Sequence, residues 1–444
     1  MIEYIRPVIL DLIRCGERKK AWDLIDLYFE NARTLEDFDV LGFCSLKADK
    51  RDTYLACAEA TFALARSPEQ IYRTRMNLYK AYNMMNYPEK ALHYIEQNLQ
   101  IDPTDFETRA QKAFNLSLMG NKKEAEDLLT ELTMEDPRRK KKLEAAFAGK
   151  YLREGKLALG IRSFIETFKP KSDLFEGYYN MKRWDGKPLP GQKLYVEGEG
   201  GIGDEIINIR FFDHIREMSM EPILYSSGKY NRDVHEIFRR HGYSVLEESY
   251  SIDPRCPWIP LMSIPAYLDL KEEDLWRGPY LTPHKKIDLK SDWLKIGIKR
   301  SGNPYFGQDE YRKIPLNLML SYLPKKAEIY YIDKERVDSN RVINTNTLIS
   351  SWEDTLAIID SMDVIVSSCT SLVHAAGAMG KTTFVAVPIA EYYIWTSSRR
   401  DNKSYWYGDN FYVMKQEKLR DWNAPLSKIS KQLEEMFGEK YDIN

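Results

Sequence analysis

The chain has 444 residues, roughly three times the usual ~150-residue domain, so two or three domains are expected. Hydrophobic residues make up 43% and charged residues 30%, a globular balance with material for more than one core. Lysine and arginine number 65 against 67 aspartate and glutamate; the formal charge of −2 argues against indiscriminate coating of nucleic acid but leaves room for a local basic groove.

Five scattered cysteines (Cys15, Cys44, Cys57, Cys256, Cys369) show no CxxC spacing, which points to a reducing compartment without a disulfide framework or zinc site. The first 20 residues mix charge into their apolar positions, and no stretch approaches the ~20 apolar residues of a spanning helix. A cytoplasmic chain with no signal peptide and no membrane span is expected.

The front of the chain repeats itself. Asn86-Tyr-Pro-Glu-Lys-Ala91 precedes Leu92, Tyr94, Ile95 and Leu99 and closes with Ile101-Asp102-Pro103. Gly120-Asn-Lys-Lys-Glu-Ala125 precedes Leu128, Leu129 and Leu132 and closes with Glu135-Asp136-Pro137, a step of 34 residues. A small residue lets two helices pack closely, and Asp-Pro ends the second helix because proline cannot continue it. Weaker copies stand at 16–21 and 155–160. The pattern resembles tetratricopeptide repeats and predicts an α-helical solenoid over residues 1–168. Such a solenoid either supports the rest of the chain or selects a partner on its concave face. The run Arg138-Arg-Lys-Lys-Lys142 reads as a solvated helix start.

From about residue 190 short β-rich runs alternate with helical stretches, at 194–197, 223–225, 296–299, 329–332, 364–367, 384–387 and 411–414. That alternation predicts parallel sheets of βαβ units, in two Rossmann-like lobes over 190–284 and 285–444. Ligands are expected in a cleft at the carboxyl ends of the strands.

Two clusters stand at such ends. The first is Val196-Glu-Gly-Glu-Gly-Gly-Ile-Gly-Asp204-Glu205, where a β run meets a glycine-rich turn and a helix start. Gly200, Gly201 and Gly203 would let a backbone approach a ligand closely. The loop spells GxGxxG at Gly198–Gly203 but lacks the usual acidic follow-up after the next β run, so a dinucleotide reading is weak. Asp204 and Glu205 are first-turn acids of a kind common as caps; Asp204, facing the cleft, could equally take a proton from an attacking hydroxyl. The second cluster is Asp363-Val-Ile-Val-Ser-Ser-Cys-Thr370-Ser371-Leu-Val-His374, a buried strand leading into a helix N-terminus. Thr370, Ser371 and the free amides there form a ready diphosphate cradle, with His374 one turn in.

These segments together resemble GT-B glycosyltransferases that carry tetratricopeptide repeats, whose catalytic part is similar to the bacterial heptosyltransferases and, more remotely, to O-GlcNAc transferase. Gly-Gly-Ile-Gly-Asp204 resembles the family's G-L/I-G-D loop. Gly297-Ile-Lys-Arg-Ser-Gly-Asn-Pro304 and Arg312-Lys-Ile-Pro315-Leu316 resemble its G-x-x-x-x-G-N-P and R-S-I-P-L elements. Trp352-Glu-Asp354-Thr355, with Thr370-Ser371-x-x-His374-x-x-Gly377-Ala-x-Gly380-Lys381, resembles its donor motif; Tyr405-Trp406-Tyr407, Phe411 and Asp421-Trp422 resemble its tail.

The resemblance implies a glycosyltransferase that needs no metal or other cofactor and takes a nucleoside-diphosphate sugar, of UDP type, as donor. It makes Asp204 the catalytic base and Arg312, Thr370, Ser371 and His374 the donor site, with Arg300 as a further phosphate contact and Glu335 as a ribose contact. Cys369 stands where the family has an aspartate that contacts the sugar, so sugar identity does not carry over. The acceptor is expected to be a macromolecule. It could be a protein Ser/Thr hydroxyl or a hydroxymethylated DNA base of the kind bacteriophages glycosylate. Arg399, Arg400 and Lys403 beside Trp406 would suit a nucleic-acid backbone and a flipped base, if those aromatics are not simply core. The alternative is a non-catalytic repeat adaptor with a nucleotide-sensing, transferase-like domain. Oligomeric state is left open.

Overall fold

The structure is a computed structural model that describes residues 4–168, 171–226, 232–303, 306–390, 392–396 and 401–441. It divides into two compact units, Met1–Lys140 and Lys141–Asn444.

The first unit is helical. It comprises α1 (Ile5–Arg14), α2 (Arg18–Phe29), α3 (Leu35–Lys47), α4 (Arg51–Leu64), α5 (Pro68–Met84), α6 (Pro88–Leu99), α7 (Phe106–Leu118) and α8 (Lys122–Glu135). Each helix packs on the next along the chain, so they pair as hairpins. The hairpins turn alike: Gly16, Asp49, Asn86 and Gly120 all take a left-handed backbone, with φ of 77, 54, 62 and 90°. The following amide reaches back five residues, as from Tyr87 N to Tyr82 O (2.8 Å) and from Asn121 N to Leu116 O (2.9 Å). That bond satisfies a carbonyl the helix end leaves orphaned, and only residues tolerant of positive φ close it cheaply. The repeat alanines Ala21, Ala91 and Ala125 are buried. Asp37 closes a capping box with Thr34, and Asp39 pairs with Arg73 at 2.5 Å. Arg138 and Arg139 pair with Asp136 at 2.8 and 3.3 Å, consistent with a solvated helix start.

The second unit opens with a helical hairpin of the same kind, α9 (Lys140–Arg153) and α10 (Leu157–Phe168), which turns at Gly155. A four-stranded sheet follows: β1 (Lys193–Glu197), β2 (Glu221–Tyr225), β3 (Ser244–Leu246) and β4 (Trp258–Pro260). Its order is β3-β2-β1-β4, all parallel. Helices α11 (Ile202–Asn208), α12 (Phe212–Glu217), α13 (Arg232–Arg240) and α14 (Ile264–Tyr267) belong to it.

The second sheet has seven strands: β5 (Leu294–Lys299), β6 (Ala327–Tyr331), β7 (Ile343–Asn344), β8 (Val364–Ser368), β9 (Thr383–Val387), β10 (Lys403–Ser404) and β11 (Gly408–Lys415). The order is β10-β11-β9-β8-β5-β6-β7, parallel except for β10. Its helices are α15 (Asp309–Arg312), α16 (Leu316–Ser321), α17 (Trp352–Ser361), α18 (Ser371–Ala378), α19 (Tyr393–Thr396) and α20 (Asn423–Tyr441).

Strands β8 and β9 are buried at every residue, as parallel strands covered on both faces must be. Side chains alternate between two cores. Val364, Val366, Phe384 and Ala386 pack with Trp422, Leu426 and Leu433 of the C-terminal segment. Ile365, Val385 and Val387 pack in a second core that also holds Val196, Ile206 and Ile259 of the first sheet's lobe. The two lobes of this unit therefore share one apolar core. The strand order reverses between β1 and β4 in one sheet and between β5 and β8 in the other, the two points where a parallel sheet opens a crevice at its carboxyl edge.

Candidate active site

Asp204 follows the reversal point of the first sheet. Gly200, with φ of 72°, turns the chain out of β1, and α11 starts two residues later. Asp204 is the third residue of α11, and its Oδ2 accepts the Gly201 amide at 2.8 Å, as in a capping box. Its Oδ1 accepts the hydroxyl of Tyr392, which comes from the segment after β9, at 3.2 Å. Burial pushes the Asp204 carboxyl up to about 6, outweighing the pull of these two donors and of Arg312. A carboxylate titrating there is ionised at neutral pH yet basic enough to share a proton. It serves as a cap and still has the electrostatics of a base.

The reversal point of the second sheet lies against it. Helix α11 packs on α18, and the approach is close. A Cβ on Gly203 would lie 2.7 Å from His374 Cδ2 and 3.4 Å from Ser371 Cα, so only glycine fits. Thr370 caps α18 in an extended conformation and Ser371 is its first residue. The first-turn amides of such a helix have no intrahelical acceptor and favour an anion. Arg312 stands beside this terminus: its Nε donates to Asp309 Oδ1 at 2.7 Å and its Nη1 to the Cys369 carbonyl at 2.8 Å. Ser368 Oγ in turn donates to the Arg312 carbonyl at 2.6 Å, and the Phe306 ring lies 4.9 Å from the guanidinium. The cation is thus fixed at the carboxyl end of β8 by both of its neighbours.

His374 is buried, stacked on Trp395 at 5.4 Å, with Nδ1 2.7 Å from the Tyr407 hydroxyl. Burial, with help from Arg210 and Arg312, drives its pKa down to about 3, so it is a neutral imidazole. Burial likewise raises the Cys369 thiol to about 11, which leaves it unreactive as a nucleophile.

Asp204, the glycine loop, Arg312, Ser371 and His374 therefore meet. Arg300 and Glu335 stand farther along the same carboxyl edge, after β5 and β6. Arg300 lines a cavity of about 430 Å³ with Leu316, Asn317, Arg336 and Asp338, and its buried Nε has no hydrogen-bond partner among the described residues. Glu335 is exposed and next to that lining rather than in it. Trp406 needs correction as an acceptor residue. Its ring is 1% exposed, packed against Phe211 and Tyr393, and its carbonyl accepts Arg210 Nη1 at 2.6 Å, so it presents no face to a base. Arg399 and Arg400 lie outside the described residues.

Three groups that the motifs did not mark also shape the site. Tyr392 holds Asp204. Asp309 orients Arg312, and a carboxylate three residues before an arginine was a legible signal for it. Arg210 lies 5.1–5.8 Å from the Phe211, Trp276, Tyr280, Trp406 and Tyr407 rings, and no sequence pattern announces such a cage.

No protein-family model and no curated protein matches the chain. Among solved structures it is similar to a mutant of the Thermobaculum terrenum O-GlcNAc transferase, at 12% identity and a TM-score of 0.37, covering 99% of this chain and 97% of that one. It is similar to a family 9 glycosyl transferase from Veillonella parvula, at 9% identity and a TM-score of 0.37, covering 60% and 100%. The E. coli ADP-heptose LPS heptosyltransferase II matches at 10% identity and a TM-score of 0.33, covering 56% and 99%. At such values the functional reading rests on the site's own residues.

Proposed function

We propose that the chain is a glycosyltransferase of GT-B type that moves a sugar from a nucleoside-diphosphate donor, UDP-linked by resemblance, to a hydroxyl of a macromolecule. The observation that carries this reading is the juxtaposition of an aspartate raised to about 6 with a guanidinium and a helix N-terminus on the facing lobe.

The chemistry follows from those groups. The acceptor O–H gives its proton to Asp204 while its oxygen bonds to the anomeric carbon. The bond from that carbon to the diphosphate oxygen breaks, and the nucleoside diphosphate leaves with the electron pair. Negative charge that grows on the leaving group is met by Arg312 and by the α18 amides behind Thr370 and Ser371. Fixed donors of this kind can do the work that a divalent cation does elsewhere. Neutral His374 supports the same turn without adding charge. The cavity beside Arg300 is the natural place for the nucleoside, with Glu335 at its margin.

The helical hairpins favour a macromolecular acceptor, since such repeats offer extended surfaces for selection. The test offers the full chain a panel of nucleotide-sugars with protein lysate or with hydroxymethylcytosine DNA and measures intact mass. Gain of one sugar mass on one acceptor supports the reading. Failure of every donor to be turned over favours the adaptor alternative.

A further inference from the structure

Asp204 has its two carboxylate oxygens held from different sides. Oδ2 belongs to its own loop, through Gly201. Oδ1 is held by Tyr392, which reaches it from the second lobe, 188 residues away in sequence. Nothing in the local sequence of either segment requires that meeting.

The tyrosine is itself tightly placed. Its ring packs edge-on against Phe164 of α10, with centroids 5.4 Å apart at 85°, and against Tyr393 at 4.8 Å. Its hydroxyl also lies 3.8 Å from Met262 Sδ, just after β4. The last helical hairpin and the carboxyl edge of the first sheet therefore both meet this tyrosine of the loop after β9. Burial and the adjacent carboxylate hold the phenol well above its usual pKa, so it stays protonated and donates.

We infer that Tyr392 is the positioning residue of the base, orienting the Asp204 carboxylate and stabilising its ionised form. This rests on Asp204 being the base proposed above. With Tyr392 on one lone pair of Oδ1 and Gly201 on Oδ2, the carboxylate cannot rotate, and the remaining lone pairs are those that meet an acceptor hydroxyl. The other charged and titratable groups around it are Glu205, its neighbour on α11, Glu199 in the loop after β1, Arg312 of α15, His374 of α18, and Tyr393 and Tyr407. Glu205 opposes ionisation, and Arg312 favours it. Only Gly201 and Tyr392 bond the carboxylate directly among the described residues.

The sign is definite. A donor to a carboxylate lowers its pKa, so Tyr392→Phe raises it. A hydrogen bond to a charged group is strong enough to move the acid limb by about one pH unit. The experiment measures donor turnover from pH 5 to 9 for wild type, Tyr392→Phe and Asp204→Asn. The phenylalanine keeps the ring contacts with Phe164 and Tyr393, and a melting curve confirms its fold. The expected result is an acid limb displaced upward in Tyr392→Phe, above a plateau lowered by the lost orientation, with the donor KM unchanged. An acid limb that is not displaced, whatever the plateau, overturns the inference. Wild-type turnover by Asp204→Asn would instead overturn the base itself, which keeps the two failures distinct.

Discussion

Gly203→Ala tests whether the two lobes bring the base against the donor cradle. Gly203 lies in helix α11 without a left-handed backbone, so alanine introduces no torsional strain there and acts through space alone. The new methyl would sit 2.7 Å from His374 Cδ2, where about 3.5 Å is needed for ordinary contact. His374 cannot yield, because Tyr407 bonds it and Trp395 stacks on it, and the second neighbour is the Ser371 backbone. Relief must come from α11 and α18 parting. Helix propensity favours alanine by ~1 kcal/mol, whereas overpacking costs ~1–3 kcal/mol, so the overpacking wins by about 1 kcal/mol. A loss of that size lowers Tm by ~2–4 °C. Turnover suffers far more, since displacing a catalytic group by ~1 Å costs ~10²-fold. Nucleotide release followed beside a melting curve reads both. A variant with wild-type kcat and an unchanged or raised Tm would refute the reasoning.

Turnover of the wild type should fall on the acid side with a midpoint near pH 6, because Asp204 must be ionised to act; a flat profile from pH 5 to 8 would count against it. The same shift has a stability consequence. Folding raises this carboxyl from an ordinary ~3.9, so its stabilising effect is complete below pH ~4 and is lost as pH rises through about 6. Asp204→Asn should therefore melt higher than wild type at pH 8, although it is inactive. Arg312→Lys should raise the donor KM by ~10-fold or more, because an ammonium cannot bond Asp309 and the Cys369 carbonyl together while facing a diphosphate. Inhibition by free nucleoside diphosphate should weaken in parallel. Trp406→Phe should leave acceptor KM unchanged and lower Tm, as a core substitution does.

Elements with strong local chemistry were legible. All seven β-rich runs lie in or overlap strands, because parallel strands covered on both faces read as continuous apolar segments. Strands β3, β4, β7 and β10 escaped notice. They are two or three residues long, and only pairing with a neighbour makes them strands. The helical hairpins were legible where glycine or asparagine marked the turn, as at Gly120 and Asn86. One was missed at Asp49, which takes the same left-handed backbone without announcing it. In the site, the positions of Asp204, Arg312 and Ser371 were legible because each sits at a loop or a helix end. Tyr392 and Arg210 were not. Their partners lie far away in sequence, and a tyrosine or arginine in an aromatic stretch has no spacing that marks it. Trp406 shows the converse: a tryptophan beside basic residues suited a binding face, and packing put it in the core.

The central claim is that Asp204 is the base of a glycosyl transfer, and single-turnover release of nucleoside diphosphate by wild type and Asp204→Asn, with the acceptor found by mass gain, tests it most directly. The account predicts unchanged donor binding and a rate lower by ~10²–10⁴-fold, the share that a positioned base supplies. Release and sugar transfer at the wild-type rate by Asp204→Asn would contradict it.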